Sequence, residues 1–196
     1  GGAFGDSVND TELHADQRLG DFFVGRLQEG LRGISRISVE GRPDVEIDGG
    51  SLLVTVDQLD GSLNYMRRGK TYGLPYSACI TVFDKAVGTR FRDVIAAGVI
   101  DLRCGDLWYA ERLLHDAEEY LTFLGDSVAR TMPAEKLDLG RMVVIGEMYY
   151  PMNRELLARA FAGQKGWLRN PGSAAYEMAL VSTGQAAAYI CDRQKN

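Results

Sequence analysis

The chain is predicted to be a mixed α/β protein, an α+β layered sandwich of alternating helix and sheet layers, on three observations. Leu19, Phe22, Phe23, Leu27 and Leu31 recur at helical spacing near the start, short β-rich runs fill the middle, and a second helical stretch lies among strand-like runs near the end. Helical stripes and strand faces must bury their apolar sides against one another, and layers of the two achieve this.

Taken in order, the first helix is expected from about Ala15 to Glu29, with Gly30 as its stop. Ile34–Val39 reads as a short strand, followed by an acidic loop carrying Glu40, Asp44, Glu46 and Asp48. Leu52-Leu53-Val54-Thr55-Val56 is a mainly apolar, β-branched run, the pattern of a buried strand. Tyr76–Phe83 is β-rich and alternating, and Val94–Ile100 and Leu107–Ala110 flank the turn residues Asp101–Asp106 as a hairpin. Met142–Ile145 is a strand, Asn153–Phe161 a helix, Ser173–Thr183 a helix stopped by Gly184, and Ala187–Cys191 a last strand.

At 196 residues the chain has room for a sizeable core, and its 45% hydrophobic and 25% charged residues are ordinary globular values. A formal net charge of −5 argues against a nucleic-acid partner, which calls for a basic stripe. It does not oppose an anionic substrate, because a bound divalent cation reverses the local field. No apolar run approaches a membrane span. Cys79, Cys104 and Cys191 are odd in number and far apart, so reduced, mostly buried thiols in a cytoplasmic protein are expected. The chain opens almost at its first helix and closes on a strand-like run. It is therefore expected to be a single domain over 1–196 that lacks part of its N-terminal helix and a C-terminal portion.

The stretch with most chemistry is Val56-Asp57-Gln58-Leu59-Asp60-Gly61-Ser62-Leu63-Asn64-Tyr65. A buried strand ends in two carboxylates three residues apart, and the chain then turns through a glycine. Asp57 and Asp60 can both reach one hard cation, since Mg²⁺ takes one or two carboxylates with water and phosphate oxygens. Gly61 and Ser62 offer backbone N–H groups to an anion. The competing reading makes both aspartates ordinary turn formers. An EF-hand is excluded, because position twelve from Asp57 is Arg68 rather than a closing glutamate.

These residues resemble the Asp-Pro-Ile/Leu-Asp-Gly-Thr signature of the inositol monophosphatase / fructose-1,6-bisphosphatase-like family of Mg-dependent sugar phosphatases, with Gln58 for Pro and Ser62 for Thr. Asp16-Gln17-Arg18-Leu19 is similar to the family's Thr-x-x-Asp-like helix opening. Glu40 lies 17 residues before Asp57, close to the interval of the family's Gly-Glu-Glu ligand. Gly172-Ser173-Ala174-Ala175, with Leu180 to Gly184 and Ala187-Tyr189 behind it, resembles the family's Gly-Ser-Ala-Ala helix and following strand.

The resemblance implies a homodimeric phosphomonoesterase with two or three Mg²⁺ ions per site, acting on a small phosphorylated sugar or polyol. Glu40, Asp57, the Leu59 carbonyl and Asp60 would be the metal ligands, with Asp57 bridging. Ser62, hydrogen-bonded to Asp16, would orient and help deprotonate the attacking water, so that Asp16, Ser62 and Glu40 form the catalytic set. Gly61 and Ser62 would hold phosphate oxygens, and Ala174 and Ala175 would border the substrate ring. Plainer readings stand beside these. Glu40 can be a solvated loop acid, Asp16 a helix-dipole partner, and Gly172–Ala175 only a close-packed helix start.

The departures are specific. The family's third aspartate, in a Trp-Asp-x-Ala-Ala-Gly segment, is not found up to Asn196, and Asp192 is not assigned to it. Cys191 falls where inositol-specific members place a substrate-binding glutamate. It is expected to be an inert thiol, and inositol selectivity is not expected. Leu113–Tyr120 is leucine-rich and acidic where the family has a Gly-rich hairpin. Arg67, Arg68 and Lys70 either meet a second phosphate or form a solvated basic turn. His14 and His115 have no metal-ligand spacing. A 3′-phosphoadenosine-type bisphosphate phosphatase and a non-catalytic binding or structural subunit are the alternatives.

Overall fold

The computed structural model describes residues 3–67, 73–86, 88–90, 93–112, 120–124, 127–129, 143–146, 151–160, 162 and 167–191. Arg68, Lys70, His115, Asp192 and most of the Leu113–Tyr120 stretch lie outside the described residues.

Helix α1 runs from Ala3 to Gly30, longer at its start than periodicity predicts. Phe4 and Val8 stand one turn apart, but the polar run Asn9-Asp10-Thr11-Glu12 interrupts the stripe before Leu19, so the pattern predicted a later start. Strands β1 (Ile34–Val39), β2 (Val45–Glu46) and β3 (Leu52–Asp60) follow. The predicted acidic loop is therefore not all loop. Arg36 on β1 pairs with Asp44 at 3.6 Å and Glu46 at 2.5 Å, pulling the short β2 onto the sheet edge. A short helix α2 (Ser62–Met66) leads through Pro75 to β4 (Ser77–Asp84), and β5 (Val94–Asp101) and β6 (Leu107–Arg112) form the predicted hairpin. Strands β7 (Tyr120–Leu124) and β8 (Ser127–Ala129) complete an eight-stranded sheet in the order β2-β1-β3-β4-β5-β6-β7-β8.

A second, three-stranded parallel sheet has β9 (Val143–Gly146) between β10 (Trp167–Arg169) and β11 (Ala188–Ile190). Helix α3 (Pro151–Ala160) opens on a proline, whose missing N–H costs nothing at a first helical position. Helix α4 (Ala174–Ser182) ends at Gly184, in the left-handed region at φ 73°, as the predicted stop requires.

The faces of the large sheet sort the layers. Val54 and Val56 of β3 pack with Ile34, Ile37 and Val39 of β1 under Phe23, Val24 and Leu27 of α1. Helix α4 lies on β4 and β5 and also meets β11, so it sits between the two sheets. Strand periodicity of two does this, since Val54 and Val56 share one face and Asp57 falls on the other. The observed order is helix, sheet, helix, sheet: the layered α/β architecture predicted.

Candidate active site

Strand β3 runs on to Asp60, past the Val56 end predicted for it, and it does so through a bulge. Cys79 stands opposite Asp57 and Ser77 opposite Asp60, so three steps along β3 match two along β4. In a regular strand, residues three apart point to opposite faces; one extra residue reverses that. Asp57 and Asp60 are thus brought to the same face of the sheet.

Glu40 is fastened beside them. Its N–H donates to the Val56 carbonyl at 2.9 Å, and its carbonyl accepts from Gln58 Nε2 at 3.2 Å. The residues just before and just after Asp57 therefore hold the Glu40 backbone, while its side chain stays exposed. The Asp57 carboxyl accepts from the Leu59 N–H at 3.1 Å, which orients it. Burial first, then the charges of Glu40 and Asp60, push the Asp57 carboxyl up to about 7, and a hydrogen bond with the Glu40 side chain adds to this. The same pressure falls on Cys79, whose thiol burial and the Asp57 charge push up to about 12. It is no nucleophile.

Asp60 turns one oxygen toward α4. Its Oδ2 accepts from Ser173 Oγ at 2.6 Å, from the Ala175 N–H at 2.8 Å and from Ser77 Oγ at 3.4 Å. Ser173 stands at the N-cap but does not cap its own helix; a carboxylate from β3 does. Ser77 and Ser173 are fully enclosed, 0% and 1% exposed, and share a 2.9 Å hydrogen bond. Buried Glu177 reaches back to the Gly172 N–H at 2.7 Å. Ala174 and Ala175, expected to border a substrate, begin this helix.

Gly61 follows at φ 83°, ψ 35°, and Ser62 continues into α2. A left-handed residue followed by a helical one sets successive N–H groups around a concavity suited to an anion. Buried Asn64 then ties the turn down. Its Nδ2 donates to Pro75 O at 2.7 Å, Pro171 O at 2.8 Å and Gly172 O at 3.2 Å, so the turn and the start of α4 share one clasp. A Cβ on Gly61 would lie 3.0 Å from Pro75 O and 3.0 Å from Ser173 Cβ. Gly61→Ala should therefore cost about 1–3 kcal/mol in denaturant unfolding, from backbone strain and contact together. An unchanged midpoint would mean that this turn is looser than described.

Arg103, on the β5–β6 turn, grips buried Asp101, donates to the Gly73 carbonyl, and lies over the Tyr176 ring at 5.3 Å, fixing α4 from its other side. Burial raises the Asp101 carboxyl, but the Arg103 hydrogen bonds outweigh it and hold it below its ordinary value.

The structure thus gathers Glu40, Asp57, Leu59, Asp60, Gly61, Ser62, Ala174 and Ala175 around one end of β3. Half-buried Asp16 lies on α1 one turn before Gly20, and α1 packs against α2, which carries Ser62. Arg67 is exposed at the end of α2, and His14 is exposed on α1. Of the thiols, Cys79 and Cys191 are half-buried while Cys104 is exposed on a turn, so the expectation of mostly buried cysteines is corrected. Asn64, Ser77 and Glu177 were not predicted. Asn64 lay within the signature stretch, whereas Ser77 carries no sequence signal.

A hard divalent cation fits the donor set. All the donors are oxygens, and the crowding of like charges that pushes the Asp57 carboxyl up is what a cation relieves. Among the described residues, no three His, Cys, Asp or Glu side chains already converge as a set of ligands. Water and phosphate oxygens would therefore complete the coordination. No helix among the described residues is long and apolar enough to cross a membrane.

No protein-family model matches the chain, and no curated protein matches it. Solved structures do. Inositol monophosphatase II from Staphylococcus aureus is 20% identical, with TM-score 0.69 over 92% of this chain and 62% of that one. The extragenic suppressor protein SuhB from Bartonella henselae is 18% identical, with TM-score 0.67 over 87% and 60%. An IMPase/NADP phosphatase complexed with Mg²⁺ and phosphate is 17% identical, with TM-score 0.66 over 88% and 58%. The fold is that of the inositol monophosphatase structures, and the chain spans about three fifths of their length.

Proposed function

We propose that this chain, built on the inositol monophosphatase fold, is a Mg²⁺-dependent phosphomonoesterase acting on a small phosphorylated sugar or polyol. The observation that carries the reading is the bulge in β3. It sets Asp57 and Asp60 on one face, beside the fastened Glu40, and directly before the Gly61–Ser62 turn. Carboxylates for cations and backbone amides for an anion, side by side, describe a phosphoryl site. Among structures of this fold, one phosphatase is bound with D-inositol-1-phosphate and another with 2′-AMP.

Glu40, Asp57, Asp60 and the Leu59 carbonyl would hold two or three Mg²⁺ ions. Such ions, when bound, activate a water and neutralise the leaving oxygen of an in-line displacement. The remaining work belongs to the chain itself. Ser62 would accept a hydrogen bond from the attacking water and donate its own hydrogen to Asp16, so that Asp16 would take up the proton the water loses. The Gly61 and Ser62 amides hold phosphate oxygens and gain strength as charge builds there. The small side chain of half-buried Ala174 would leave space for a ring, while Ala175 is 3% exposed and packs beneath it.

Cys191 offers no carboxylate to sugar hydroxyls, and a site without that partner discriminates weakly. A panel of inositol-1-phosphate, fructose-1,6-bisphosphate and 2′-AMP at equal concentration tests the reading. Hydrolysis of several, abolished by excess chelator and inhibited by Ca²⁺, is expected. Equal turnover with and without chelator excludes the mechanism. Strict preference for inositol-1-phosphate would overturn only the broad selectivity.

A further inference from the structure

Gln58 is the residue of the signature stretch that departs most from the family pattern. It lies in the bulge between Asp57 and Asp60 and is 5% exposed. Its Nε2 donates to the Glu40 carbonyl, which fixes the orientation of the amide, because a carbonyl can only accept. Its Oε1 is buried and has no partner among the described residues. A buried acceptor left unsatisfied weakens a fold, so packing does not explain a glutamine here.

Two residues beyond Glu40, Arg42 fastens the same turn to α1. Its Nη2 donates to the Gln17 carbonyl at 3.1 Å and to Asp21 Oδ1 at 2.8 Å, and its backbone N–H donates to the Val39 carbonyl at 3.1 Å. Gly20 makes room for it, since a Cβ there would lie 2.7 Å from Arg42 Nη1. An exposed glutamate on a turn ordinarily samples many positions. This one has its backbone held to β3 on either side of Asp57 and its turn held to α1.

We propose that Gln58 and Arg42 are positioning residues that set the Glu40 carboxylate against Asp57 and thereby tune cation affinity. This rests on the metal-dependent reading given above. Gln58 acts through the Glu40 backbone and Arg42 through the turn that follows it; neither is a ligand. Residues that orient ligands commonly alter metal affinity by about 10–100-fold when replaced.

The test is Mn²⁺ binding by electron paramagnetic resonance, with thermal unfolding of each variant and no substrate present. Gln58→Met should weaken Mn²⁺ binding about tenfold with Tm unchanged or raised, and Arg42→Met should weaken it severalfold. In a Glu40→Gln background, Gln58→Met should add less than about twofold, because the two act as one unit. A Gln58→Met protein that binds Mn²⁺ like wild type, whether or not its Tm falls, overturns the inference and leaves the phosphatase reading standing. Losses that combine in full with Glu40→Gln overturn it as well. Should Gln58→Met not fold, Gln58→Asn and Arg42→Met decide in the same way. A wild-type protein that takes up no Mn²⁺ overturns both the inference and the reading beneath it.

Discussion

Asp57→Asn should lower kcat/KM on the order of a thousandfold and leave the protein folded. The substitution keeps the shape and the bond from the Leu59 N–H but removes the charge proposed to bridge the cations. Cation stabilisation of the transition state is worth several kcal/mol, each ~1.4 kcal/mol of which is tenfold in rate. Stability should move in the opposite direction. The wild-type carboxyl is pushed up from 3.8 to about 7, first by burial and then by Glu40 and Asp60. Between those values the folded protein holds a proton that the unfolded chain has lost, so wild-type stability without metal falls as pH rises across that window. Asparagine does not titrate. Metal-free Asp57→Asn should therefore match wild type near pH 4 and melt above it at pH 8. An active variant refutes the chemistry, and parallel melting curves across pH refute the crowding.

Asp60 should show a different pattern, because it serves both the proposed cation site and the fold. Asp60→Ala removes the shared acceptor of Ser173, Ser77 and the Ala175 N–H, all at buried positions. Each buried donor left unsatisfied costs about 1–3 kcal/mol, and lost helix capping about 1 kcal/mol. These do not add independently, since the two serines can still bond each other at 2.9 Å. A loss of about 2–4 kcal/mol in denaturant unfolding is expected, together with loss of activity. Asp60→Asn keeps one acceptor oxygen, so it should recover much of the stability and none of the activity. If both variants keep wild-type stability, α4 does not depend on this cap. If Asp60→Asn is active, Asp60 supplies no essential charge to the reaction.

The contrast between these two aspartates shows how far the amino-acid order could be read. Four apolar residues among the five of Leu52–Val56 announce a strand, and the acids and glycine behind it announce a candidate site, because period and turn chemistry are local properties. The β5–β6 hairpin and α4 with its glycine stop were legible for the same reason. Of the short strands, β9 and β11 were legible as apolar runs beside a helix, while β2, β7, β8 and β10 were not.

What the sequence by itself determined is the layered α/β class, most of the long elements, and the succession of Asp57, Asp60 and Gly61 behind one strand. What only the tertiary structure decided is their arrangement. Whether Asp57 and Asp60 share a face depends on a bulge, and a bulge exists only relative to the strand paired beside it. That Asp60 caps a helix more than a hundred residues later, and that Gln58 and Arg42 fix Glu40, depends on contacts between distant segments. Local patterns record which surfaces are to be buried. They do not record which partner will cover them, because that is settled by the packing of the whole chain.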